Sequence, residues 1–72
     1  MKKFIVIENE YYTPTNVEIF ETKKEAEAFV LKEASITFER DFKTFKSVLK
    51  YQESDNWQED ETNISYHIVE KD

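Results

Sequence analysis

The chain has 72 residues, 39% hydrophobic and 15% aromatic, with 16 acidic side chains against 10 basic ones and a formal net charge of −6. That length allows a single domain, residues 1–72, near the lower limit at which a chain without disulfides or metals buries enough apolar surface to fold alone, and its ring content argues against disorder. The absence of Cys rules out a disulfide framework and any thiolate zinc site, and the absence of Gly excludes the Walker loop and the dinucleotide fingerprint, whose backbones approach phosphate through Gly.

Met1-Lys2-Lys3 precedes the apolar run Phe4-Ile5-Val6-Ile7, which Glu8 ends well short of the roughly 7–15 residues of a secretory h-region. A short run of β-rich residues instead predicts a strand with both faces at least partly covered, placed inside a sheet. Glu8 to Asn16, with Thr13, Pro14 and Thr15, reads as a hairpin-like loop, because Pro removes a donor and Asn and Thr favour turns. With no Gly, turns are expected to rely on Asn, Asp and Pro14. Val17 and Ile19 then alternate with Glu18, which predicts a short half-buried strand over 16–20, antiparallel to the first.

Thr22-Lys23-Lys24-Glu25 has the spacing of a capping box, in which the Thr hydroxyl and the Glu carboxylate reciprocally satisfy free backbone donors of a first helical turn. Ala26, Val30 and Ala34 follow at four-residue intervals, and Leu31, Phe38, Phe42, Phe45 and Leu49 continue on a neighbouring stripe. One long amphipathic helix is predicted from Thr22, ending between Phe42 and Lys50. A Glu39–Lys43 pair at i,i+4 and the basic Lys43, Lys46 and Lys50 near the end support it. An early stop would leave 45–53 free to form a fourth strand.

Ser54-Asp55-Asn56 is a turn signal, Glu59-Asp60-Glu61 an acidic run, and Trp57 stands between them. Ile64, Tyr66 and Ile68 then alternate with Ser65 and His67 in a predicted strand running almost to the C-terminus, which sets His67 on the opposite face. The fold class expected is α+β: one long helix packed on a small, mostly antiparallel sheet of three or four strands, in the order ββαβ or ββαββ.

For function, the sequence mainly excludes. No stretch approaches the ~20 apolar residues of a membrane span, and net negative charge opposes binding to anionic lipid and to nucleic-acid phosphates. A cytoplasmic location follows as the default for a Cys-free chain. The acidic segment lacks the Gly and the ligand spacing of a calcium loop, so no metal and no cofactor are expected. Catalysis by His67 needs a nucleophile or an orienting carboxylate beside it, which the sequence does not place, and the chain is read as non-enzymatic.

Glu53, Asp55, Glu59, Asp60 and Glu61 form the densest charge feature, with no Lys or Arg from Gln52 to Ile68. Carboxylates along such a segment imitate phosphate charge and attract a Lys/Arg-lined groove, while Trp57 supplies the aromatic anchor that dominates binding energy when a loop docks. The expected partner is a protein with a basic surface. In size, acidity and lack of catalytic motifs the chain is similar to small accessory proteins of phages and mobile elements, a compositional likeness that implies an inhibitor occupying a nucleic-acid-binding surface. The alternative is a structural or self-associating protein, a homodimer formed through the helix seam of Leu31, Phe38, Phe42, Phe45 and Leu49, which follows the three- and four-residue steps of a heptad.

Overall fold

A computed structural model of the chain describes residues 1–59 and 63–72. The architecture is α+β: strands β1 (Lys3–Glu10) and β2 (Thr13–Phe20), helices α1 (Lys23–Thr37), α2 (Phe45–Gln52) and α3 (Asp55–Glu59), and strand β3 (Ile64–Lys71). Among the described residues the sheet has three strands in the order β2-β1-β3, with both pairings antiparallel. The first strand is therefore the central one, as its continuous apolar run predicts. Its partners are read correctly as well, and each extends past the residues that alternation marks.

β1 and β2 reach further toward each other than the predicted loop over 8–16 allows. The turn is only Tyr11-Tyr12, and both residues have positive φ, 52° and 67°. Positive φ at both central positions is what a type I′ hairpin requires, because its backbone twist matches that of the strands. Asn or Gly is the usual occupant. In a chain without Gly, two tyrosines adopt the conformation instead, at a cost of roughly 1–2 kcal/mol per residue. A β-bulge between Glu8 and Asn9 absorbs Thr15, whose hydroxyl donates to the Glu8 carbonyl oxygen at 3.3 Å.

The single long helix is not formed. α1 starts where expected, with Thr22 as N-cap: its Oγ1 accepts from the Glu25 N–H at 3.2 Å and donates to the Glu25 carboxylate at 2.8 Å. It ends at Thr37, ahead of the predicted range. The Glu39 N–H donates to the Ile36 carbonyl at 3.4 Å and the Arg40 N–H to the Ser35 carbonyl at 3.1 Å, while Glu39 has φ 52°. These are the two bonds of a Schellman motif around a left-handed residue, with Glu39 in the place Gly usually takes. Since Glu39 lies outside the helix, it makes no i,i+4 pair with Lys43, whose ammonium instead meets Asp41 at 2.7 Å.

The chain then restarts as a helix, not as the fourth strand that an early stop would permit. Thr44 caps α2: its Oγ1 accepts from the Ser47 N–H at 3.1 Å and its own N–H donates to Ser47 Oγ at 3.4 Å. That is a reciprocal capping box built with Ser in the position usually held by Glu or Gln. Ser54-Asp55-Asn56 marks the opening of a short third helix, with the Trp57 N–H donating to the Ser54 carbonyl at 3.2 Å.

The core lies between α1, α2 and one face of the sheet. Ala26, Val30 and Ala34 are fully buried at the predicted four-residue spacing, joined by Val6, Phe38, Val48, Tyr51 and Tyr66. Small residues on α1 let its backbone approach the sheet, and the rings fill the space beyond. Phe38 packs on Tyr51 with centroids 5.0 Å apart and meets Phe42 and Tyr66 edge-on, arrangements that match the ring quadrupoles. The Arg40 guanidinium sits 4.6 Å from the Tyr51 ring centroid.

Among the described residues, the helices cover one face of the sheet. Phe4 and Val6 point into the core with Phe20, Tyr66 and Ile68, so by strand alternation Ile5 and Ile7 point the other way. The register sets Ile5 beside Ile19 and Val69, and Ile7 beside Val17 and His67. Val17 and Ile19, expected to be the half-buried residues of their strand, are 52% and 63% exposed, and Glu18 is the residue on the helix side. Both faces of β1 are apolar, and the helices occupy one of them. No helix of the described residues is long and apolar enough to cross a membrane.

Candidate functional site

The predicted site falls on α2 and α3. Glu53 is the exposed C-cap of α2, Asp55 opens α3, and Glu59 is the last residue of α3; Asp60 and Glu61 lie outside the described residues. Trp57 has two contacts that sequence alone does not reveal. Its ring packs partly buried against the core, and its Nε1–H donates to the Ile64 carbonyl at 2.7 Å. The indole is thus held by the start of β3.

Gln52, the last residue of α2, completes this attachment. Its Oε1 accepts from the Tyr66 N–H at 2.8 Å, and its Nε2 donates to the Tyr66 carbonyl at 3.1 Å. The pair reproduces what a neighbouring strand would offer one residue of β3. Together, Gln52 and Trp57 satisfy three outward backbone groups at Ile64 and Tyr66, so α2 and α3 cover the Ile64–Tyr66 half of this edge by side chains rather than by a fourth strand.

Where α2, α3, β3 and the hairpin tip meet there is an open groove of about 340 Å³, lined among others by Tyr12, Leu49, Glu53, Trp57 and His67. Tyr12 is 88% exposed, Glu53 is exposed, and Ser65 Oγ lies 3.3 Å from His67 Nε2. The groove therefore combines a fixed indole, a free phenol, an imidazole and a carboxylate. Sequence reasoning finds Trp57 and Glu53 here and misses Tyr12, Gln52 and Ser65, because only the fold brings the hairpin tip and β3 beside α2.

The residues of the alternative seam do not form one helical stripe. Leu31 belongs to α1, Phe38 and Phe42 to its C-cap and the following loop, and Phe45 and Leu49 to α2. Phe38 is only 4% exposed, and Leu31, Phe42 and Phe45 pack against the core cluster. Their three- and four-residue spacing is used for the interior of the domain, and Leu49 alone lines the groove.

The most perturbed proton belongs to the core. Tyr66 is pushed up to about 12 by burial of its ring and by the nearby carboxylates of Glu8 and Glu33, against the hydrogen bond its hydroxyl shares with Thr37 Oγ1 at 2.7 Å. A phenol held neutral in this way supports packing and is poorly suited to proton transfer near pH 7. His67 is exposed on the open sheet face, hydrogen-bonded within its own strand. Among the described residues no group of three His, Cys, Asp or Glu side chains is placed to hold a metal ion. No family model, no curated protein and no solved structure matches the chain.

Proposed function

We propose that the chain is a small, acidic, non-enzymatic protein-binding module that occupies a basic surface of a larger protein, such as one that holds nucleic acid, and thereby inhibits it. The observation that carries this reading is the groove beside Trp57. It is lined by an anchored indole and an exposed Tyr12, with Glu53 among its walls and Asp55 nearby in sequence, after Ser54. Tyr and Trp contribute most per residue when a surface docks, and carboxylates at the rim set orientation and association rate. The net charge of −6 supplies long-range attraction to a cationic partner.

The test begins with affinity capture from native lysate at low and high salt, followed by titration of the purified partner with the whole chain. Reversing Glu53, Asp55 and Glu59 to Lys is expected to weaken binding and to flatten its dependence on ionic strength. Tyr12→Ala and Trp57→Phe separate the aromatic contribution from the charge. Unchanged affinity and an unchanged salt slope in the charge-reversed protein would refute the reading.

A further inference from the structure

The two edges of the sheet are treated unequally. Along β3, Gln52 and Trp57 satisfy the outward groups of Ile64 and Tyr66. Along β2 nothing comparable is present among the described residues. The hydrogen-bonding phase of the ladder follows from two contacts. The Tyr11 N–H donates to the Asn63 carbonyl at 3.1 Å, and Tyr66, opposite Glu8, directs its backbone groups away from β1 to Gln52. Odd-numbered residues of β1 therefore bond to β3 and even-numbered ones to β2, which leaves the N–H and C=O of Val17 and Ile19 facing outward.

Pro14 and the bulge blunt the half of β2 next to the turn. From Asn16 to Phe20 the strand carries neither device, and its only charged residue is Glu18. On the open face, the strands present Ile5, Ile7, Val17, Ile19 and Val69 with no carboxylate between them. On the helix-side face, Glu18 of β2 and Glu8 and Glu10 of β1 point the same way, and none is in an ion pair among the described residues. An edge strand thus offers outward backbone groups flanked on one side by apolar surface and on the other by carboxylates in no ion pair among the described residues, of which Glu8 accepts from Thr15 Oγ1 at 3.2 Å.

We propose that the outer edge of β2, from Asn16 to Phe20, receives an extended segment of a partner protein in which basic and apolar residues alternate, adding a fourth strand to the sheet. Backbone bonds at Val17 and Ile19 supply the attachment, and alternation supplies the selectivity. Apolar side chains on the incoming strand extend the Ile5, Ile7, Val17 and Ile19 face. Its Lys or Arg side chains lie beside Glu18 and reach toward Glu8, which stands opposite Asn16 one strand spacing, about 4.8 Å, further on.

Charge selects this occupant over a second copy of the chain. Antiparallel self-pairing of β2 centred on Glu18 sets two carboxylates directly opposite each other, which is destabilising. A register centred on Val17 relieves that contact by opposing Glu18 with Asn16, but still joins two molecules of net charge −6. The proposal rests on the reading of the chain as a protein-binding module, not on the acidic segment around Trp57.

The experiment uses the full, isotope-labelled chain and synthetic peptides as probes, followed by amide NMR. A heptapeptide alternating Lys and Val is expected to shift the Val17 and Ile19 amide signals and to slow their hydrogen exchange by about tenfold or more, as for amides entering a ladder. The same peptide N-methylated on the residues of its pairing edge, and one with Glu in place of Lys, are each expected to lose that effect. The response is expected to persist in Glu53→Lys/Asp55→Lys, which keeps it separate from the groove reading. The proposal is overturned by peptide-induced shifts that spare Val17 and Ile19, or by equal binding of the Glu or N-methylated peptide. It is overturned equally if protection of those two amides rises with protein concentration alone, which would assign the edge to a second copy.

Discussion

Replacing Gln52 by Ala is the sharpest test of how this domain closes its sheet. The substitution keeps α2, since Ala is a strong helix former, and removes only the side-chain amide that meets both backbone groups of Tyr66. Those bonds are partly buried, so a donor and an acceptor lose their partners beside a fully buried ring. An orphaned buried polar group costs about 1–3 kcal/mol, and partial access of water at a sheet edge keeps the pair near the low end, so a loss of about 2 kcal/mol is expected. For a domain of this length each kcal/mol moves the midpoint by about 4–8 °C, which places the fall in Tm at roughly 8–16 °C. Thermal and urea unfolding, followed by far-UV circular dichroism and by Trp57 fluorescence, measures it. Gln58→Ala, at an exposed position of the neighbouring helix, serves as the control and is expected to stay within ~0.5 kcal/mol of the parent. If Gln52→Ala unfolds with the control, Gln52 does not secure the β3 edge at Tyr66 and the contrast between the two edges fails.

Two further outcomes follow from the same geometry. Glu39→Gly should raise stability by about 1 kcal/mol, because Gly occupies the left-handed position of the Schellman motif without the Cβ penalty, and a destabilised variant in urea unfolding would show that the carboxylate has another role. Tyr66 gives a pH dependence of known sign. Its pKa is raised to about 12 in the folded chain, so the folded state keeps a proton that the unfolded chain releases near pH 10. The associated stability is intact below pH 10 and is lost between pH 10 and 12, by roughly 2–3 kcal/mol. Stability relative to Tyr66→Phe should decline over that window, and a constant difference would contradict the assignment.

The parts of the fold that could be read from the sequence are those set by periodicity and by a cap. Thr22 announces α1, Ala26, Val30 and Ala34 mark its buried stripe, and the three strands follow from alternation or from a short apolar run. The helix end could not be read, because the residue that reverses the chain is Glu39, where nothing in the side chain signals positive φ. For the same reason the Tyr11-Tyr12 turn resembles a loop. The capping box of α2 escapes notice because Ser47 stands where Glu or Gln is the usual signature; at α1, Thr22 caps the helix but the Glu25 carboxylate accepts from its hydroxyl rather than from its backbone N–H. Val17 and Ile19 carry a different lesson: alternation correctly identifies a strand but does not say which face the helices will cover. Since Phe4 and Val6 compete with Ile5 and Ile7 for the same helices, only the three-dimensional packing decides.

For the candidate site, charge and Trp57 were visible in the sequence, whereas Gln52 was not. A glutamine near a helix end is ordinary until β3 is seen to lie beside it. Of the acidic residues, Glu53 lines the groove, and Trp57 acquires a structural attachment to Ile64 that fixes its ring.

Amide hydrogen exchange of the free protein, resolved residue by residue, tests the account most directly, because it compares the two sheet edges in a single measurement. The Tyr66 amide, bonded to Gln52, should exchange only through global or near-global opening, while the Val17 and Ile19 amides should exchange orders of magnitude faster, close to the rates of an unprotected chain. Protection of Val17 and Ile19 equal to that of Tyr66 in dilute solution would contradict the open β2 edge on which the proposed docking depends.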